Sequence, residues 1–157
     1  MRILGIDPGY ETLGWAVIDS NFKILGYGII RTDSGERIDE RLFQIKGQLL
    51  GIIETYKPGF AAIEKLFFSR NTTTALDVAK AMGVILLTFR EKGIDFSEYA
   101  PVQVKRAITG YGKAAKEQVQ VMITKIFGIK EIPKPDDAAD AIAIAACCAL
   151  SKGEINR

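Results

Sequence analysis

Histidine is absent from all 157 residues. That absence excludes Ser-His-Asp and Cys-His nucleophilic catalysis and the common zinc sites, leaving carboxylates, hydroxyls and lysines to carry any chemistry. Cysteine is scarce: Cys147 and Cys148 are the two in the chain. Neighbours in a helix point about 100° apart, so this pair is poorly placed to share a metal or a disulfide, and core packing is the expected role. No apolar run reaches the roughly 20 residues that span a bilayer, and no charged, apolar, small-residue leader opens the chain. A soluble, cytoplasmic protein with no membrane contact is expected. Internal repeats, low-complexity tracts and long linkers are also missing. With 157 residues and 48% hydrophobic content, one well-buried domain over 1–157 is expected.

Net charge is only +2, too small to argue a partner, but it is unevenly spread. Residues 1–64 carry seven Lys or Arg against nine Asp or Glu, residues 65–130 eleven against five, and residues 131–157 three against five. The basic middle third suits a polyanion meeting one side of the protein, although a charge run is usually a solvated face.

Arg2–Asp7, Leu13–Ser20 and Lys23–Arg31 read as three strands joined by turns short enough for an antiparallel meander. Within 36–56, Ile38, Leu42, Ile45, Leu49, Ile52 and Tyr56 recur three or four apart, the spacing of an amphipathic helix, which Pro58 and Gly59 close. Phe60–Glu64 is a brief apolar strand entered from a helix, which favours pairing parallel to the first strand. A helix over about 73–92, a strand over 95–99, helices near 102–109 and 115–126, and a last helix from Asp137 complete the chain.

Asp7 ends the apolar run Ile3, Leu4, Ile6, where Pro8 denies the donor that a regular strand would need. Asp-Pro-Gly can equally be a plain turn. Three more acids tilt the balance. Glu64 ends a second strand, and Asp137 and Asp140, three apart, share a helix face with Ala141, Ile144, Ala145 and Cys148, a stripe expected to pack on the sheet. Asp136 is assigned the helix cap, although Asp136 and Asp140 also share a face at a spacing of four. Two carboxylates about 4 Å apart repel by roughly 4 kcal/mol at an effective dielectric near 20, so four converging acids need a compensating cation. Oxygen-only ligation suits Mg²⁺ or Mn²⁺, and paired ions of this kind suit phosphodiester hydrolysis.

Gly5-Ile6-Asp7-Pro8-Gly9, Ala62-Ile63-Glu64, Gln103-Val104-Lys105 and Asp137-Ala138-Ala139-Asp140-Ala141 resemble, in order, the bacterial Holliday-junction resolvase family RuvC. The resemblance covers nearly the whole chain. It implies an α/β, ribonuclease H-like fold with a mixed five-stranded sheet, the three-strand meander plus parallel strands, flanked by helices. It implies a homodimer that cuts opposed strands of a four-way DNA junction in homologous recombination and repair, with two Mg²⁺ per subunit, Mn²⁺ a substitute, and the branch-migration proteins RuvA and RuvB as partners. Asp7, Glu64, Asp137 and Asp140 match the four catalytic, metal-binding acids. Phe67 resembles the aromatic that inserts at the junction and is favoured over Phe68, which is expected to pack inward. Phe67 lies in the basic, hydroxyl-rich loop 65–74, which includes Arg70 and is expected to touch DNA; Asn71 or Thr72 is expected to cap the helix that follows. Lys105 and Lys116 resemble lysines near the active site and are expected to neutralise phosphate. On the 73–92 helix, Ala75, Ala79, Met82, Gly83 and Leu86 share a face that packs on the dimer mate or on the protein's own sheet, and the resemblance favours the mate. A non-catalytic nucleic-acid module would leave the acids without a use, and an actin-like ATP phosphotransferase would need a second domain.

Overall fold

The computed structural model describes residues 1–9, 11–67 and 72–155. At its centre is β1 (Arg2–Asp7), apolar on both faces because both are covered. β2 (Thr12–Asp19) and β3 (Ile24–Arg31) continue from it as an antiparallel meander. β4 (Phe60–Glu64) pairs parallel to β1 on its other side, and β5 (Asp95–Tyr99) pairs parallel to β4, giving the order β3-β2-β1-β4-β5. The parallel pairs need crossovers, which α1 (Ile38–Tyr56) and α2 (Thr72–Glu91) supply.

Alternation along the strands sorts the core into two layers. Leu4, Ile6, Val17 and Ile63 face α1 and α2, meeting Leu49, Ile85 and Phe89. Ile3, Ala16, Ile18 and Ala62 face the opposite side, which is covered by α3 (Pro101–Thr109), α4 (Lys116–Phe127) and α5 (Asp136–Ile155). Cys147 and Cys148 are free thiols buried in this second layer, as their position predicts. No helix among the described residues is long and apolar enough to cross a membrane.

The α5 stripe packs on the sheet as expected, with Ala141 and Ala145 against Gly5, and burial extends beyond it: from Ala138 to Cys148 every residue except Asp140 is buried, because α5 is clamped between the sheet and α3 and α4. Other expectations change. The α2 face is divided. Met82 is buried and Leu86 partly buried against the protein's own core, while Gly83 faces open space and Leu76 and Leu87 are the exposed apolar residues. Asp136 is not the cap. The Pro135 carbonyl accepts from the Ala138 and Ala139 amides (3.0 and 3.3 Å), so Pro135 holds the capping position and Asp136 is the first helical residue. Thr72 is likewise already helical, and Asn71 lies outside the described residues.

Candidate metal-binding active site

Two strand ends and one helix start supply the acids. β1 ends at Asp7 and its parallel neighbour β4 ends at Glu64, so both carboxyl groups emerge at the same edge of the sheet. Asp7 pairs in register with Gly14 of β2, and a Cβ at Gly14 would overlap the Asp137 carbonyl. Lacking that atom, the sheet lets the first turn of α5 lie flush on it beside Asp7. Gly5 does the same one turn further on, against the Ala141 carbonyl. One carboxylate oxygen each from Asp7, Asp137 and Asp140 comes within a common 4.8 Å. Glu64 joins through a hydrogen bond with Asp7.

Such crowding is compensated in three ways within the chain itself. Burial, then the charges of Glu64 and Asp140, push the Asp7 carboxyl up to about 9, so near neutral pH it holds a proton and shares it with Glu64. Burial also raises Glu64, partly offset by the bond from Asp7. For Asp140, burial raises the pKa and Lys116 opposes it. The Lys116 ammonium lies 3.5 Å from Asp140 Oδ2 and 3.3 Å from Asp136 Oδ2. Partial burial works against that ammonium, but the two carboxylates outweigh it and raise its pKa. Asp137 Oδ2 accepts from the Thr12 hydroxyl at 2.6 Å. Within the chain, a proton, a lysine and a hydroxyl lessen the repulsion that calls for a cation.

Lys105 and Lys116 are brought together. Both line a cleft of about 240 Å³ with Glu64 and Asp140. Their helices start alike: Gln103 Oε1 accepts from the Ala100 amide at 2.7 Å and Gln118 Oε1 from the Ala115 amide at 2.8 Å, fixing the turns that carry the two lysines. Phe67 follows β4 directly. It is 60% exposed, while its neighbour Leu66 packs on the core and the Lys65 ammonium sits 6.0 Å from its ring centroid. Arg70 and Phe68 lie outside the described residues.

The family model described as "Crossover junction endodeoxyribonuclease RuvC" matches residues 3–148, a span that holds all four acids and both lysines. The chain belongs to the RuvC family. The RuvC of Heliobacterium modesticaldum is 49% identical, over 96% of this chain and 95% of its own length. That of Caldicellulosiruptor saccharolyticus is 46% identical, over 99% and 96%. The fold agrees with that of Thermus thermophilus RuvC, solved in complex with a Holliday junction substrate, at a TM-score of 0.91 and 36% identity, covering 97% of this chain and 94% of that one. The RuvC fold is ribonuclease H-like, as the resemblance implies, and its five-stranded mixed sheet is the one described above.

Sequence reasoning missed two members of the site. Thr12 bonds to an acid 125 residues away, and no local spacing signals that. Asp136, set aside as a cap, instead pairs with Lys116. Its side chain is 61% exposed, so this ion pair holds little energy. Asp136→Asn is therefore expected to keep most junction cleavage, within about threefold. Asp137→Asn and Asp140→Asn should abolish nicking while still binding the junction. A strand-nicking assay in which Asp136→Asn is the dead variant would reverse the roles given to these acids.

Proposed function

We propose that the protein is a structure-selective endodeoxyribonuclease that resolves four-way DNA junctions by paired nicks during recombination and repair. The observation that carries this reading is the convergence, in a RuvC-family chain, of Asp7, Asp137 and Asp140 within 4.8 Å, with Glu64 bonded to Asp7 and two lysines in the adjoining cleft. Asp7, Glu64, Asp137 and Asp140 are the catalytic acids and would hold two Mg²⁺ per subunit, with Mn²⁺ as a substitute. The donor set fits: it is all hard oxygen, and it retains a proton on Asp7 to about pH 9 where a cation would compensate better. Bound there, paired ions supply an activated water and stabilise the leaving oxygen of a phosphodiester.

The chain's own groups do the rest. The Asp7 proton must leave before its oxygens can hold a cation. Lys105 and Lys116 neutralise the phosphate in the cleft, and the exposed Phe67 ring replaces base stacking lost where strands part. Arg70 adds charge to the same DNA-facing segment. Two like strands call for two sites, so the working form is a homodimer, with exposed Leu76 and Leu87 and the open Gly83 on α2 as its natural meeting face. Residues 1–157 act as one nuclease domain, served by RuvA and RuvB as the branch-migration motor, in the cytoplasm where the bacterial chromosome lies.

Incubation with Mg²⁺ and a synthetic four-way junction, a linear duplex or ATP tests the reading. Cleavage of the junction alone supports it; binding without cleavage favours a non-catalytic module, and ATP turnover a phosphotransferase. Lys105→Ala and Lys116→Ala should each weaken junction binding regardless of sequence and lower the slope of log affinity against log salt by roughly 0.9. Salt titrations that leave both slopes unchanged rule out the phosphate role.

A further inference from the structure

The structure assigns Thr12 as a positioning residue for the Asp137 carboxylate, a role that rests on Asp137 being a metal ligand. The Thr12 hydroxyl donates to Asp137 Oδ2 at 2.6 Å, joining the first residue of β2 to the first turn of α5. Both ends of that bond are fixed by backbone. Thr12 is in register with Arg31 of β3, the preceding carbonyl, of Glu11, accepts from the Thr32 amide at 3.2 Å, and the Pro8-Gly9 turn folds so tightly that a Cβ at Gly9 would overlap the Thr12 carbonyl. On the other side, the flush contact at Gly14 holds the Asp137 main chain against the sheet.

What main-chain packing does not fix is the plane of the carboxylate, because the terminal torsion of an aspartate is broad and roughly two-fold. One hydrogen bond to Oδ2 sets that plane. The hydroxyl occupies one direction on Oδ2, and the remaining acceptor directions of the carboxylate would serve a cation held with Asp7 and Asp140. Asp140 and Glu64 have other means of orientation, in Lys116 and Asp7, whereas the Thr12 hydroxyl is the partner found for Asp137 among the described residues.

Thr12→Val keeps the shape and removes the hydroxyl; Thr12→Ala removes it without added apolar bulk; Thr12→Ser retains it. Calorimetric titration with Mg²⁺ alone, and the Mg²⁺ concentration giving half-maximal junction cleavage, should both shift about tenfold upward in the Val and Ala variants, the usual scale for losing a hydrogen bond to a ligating group. Serine should restore most of the affinity. At high Mg²⁺ the Val variant should recover most of its kcat, and its junction affinity in chelator should equal that of the parent, which a general structural defect would not allow. Val and Ala variants that bind Mg²⁺ as the parent does would overturn the positioning role alone. A parent that neither binds Mg²⁺ nor cuts a junction would instead overturn the reading of the acids on which it rests.

Discussion

In chelator, Asp7→Asn should melt at a higher temperature than the parent, and the gap should widen as pH rises from about 4 towards 9. The sign follows from the site. Burial first, then Glu64 and Asp140, raise Asp7 from 3.8 to about 9 in the folded protein, so folding above pH 4 requires this carboxyl to keep a proton that the unfolded chain releases. Its stability contribution is complete below the unfolded pKa and is lost progressively as pH climbs through the folded one. One proton sets an upper limit of about 1.4 kcal/mol per pH unit on that slope. Asparagine fills nearly the same volume, still donates to Glu64, and never ionises, so the mutant loses the slope. Mg²⁺ should reverse the ranking, since a ligand stabilises the native state by RT ln(1 + [L]/Kd) and the mutant lacks a donor. Cleavage should fall below detection. Melts across pH in chelator, repeated in Mg²⁺, check every part; a mutant less stable than the parent in chelator would make Asp7 chiefly a turn residue of Asp7-Pro8-Gly9.

Gly14→Ala should cost cleavage by about 100-fold or more although residue 14 has no functional group. Gly14 is not among the glycines with positive φ, so alanine suits the backbone itself. The conflict is steric: the new Cβ would occupy the space of the Asp137 carbonyl. α5 must then lift from the sheet, carrying Asp137 and Asp140 away from Asp7. Overpacking of this kind costs about 1–3 kcal/mol, which thermal melts would register. Gly51 in α1 is the matched control, since a Cβ there meets nothing within 4 Å. Gly51→Ala should be neutral or stabilise by up to about 1 kcal/mol and cleave normally. Equal activity in the two variants would mean that the close fit between β2 and α5 does not set the site.

Much of this arrangement was legible in the chain because local chemistry and tertiary placement agree. The apolar run before Asp7 and that before Glu64 end where their strands end, and the parallel pairing of β1 and β4 carries both acids to one edge. Helical spacing likewise reads correctly for α1, whose Ile45 and Leu49 face the core. What stayed hidden depends on contacts between distant segments. Which residue caps α5 depends on which carbonyl meets the first helical amides, and the side-chain preference that pointed to Asp136 does not report that. Met82 and Gly83 are adjacent, yet one enters the core and the other faces out, a rotation of α2 that only its packing against β-sheet and α1 decides. Thr12 carries no signal at all, being one hydroxyl among several near a turn.

In the helix that bears Asp137 and Asp140, every residue from Ala138 to Cys148 but Asp140 is buried, and the strand that bears Asp7 is the innermost of the sheet. Backbone amides in such elements exchange with solvent only when the whole molecule opens. Among the described residues, the elements that carry Asp7, Asp137 and Asp140 are therefore expected to yield little when a duplex is met. Conformity must come from the other partner: the DNA has to bend and open until a phosphate reaches fixed oxygens. A branch point, already unstacked and jointed, meets that demand at far lower elastic cost than a continuous helix, so rigidity in the protein becomes a means of choosing among DNA shapes.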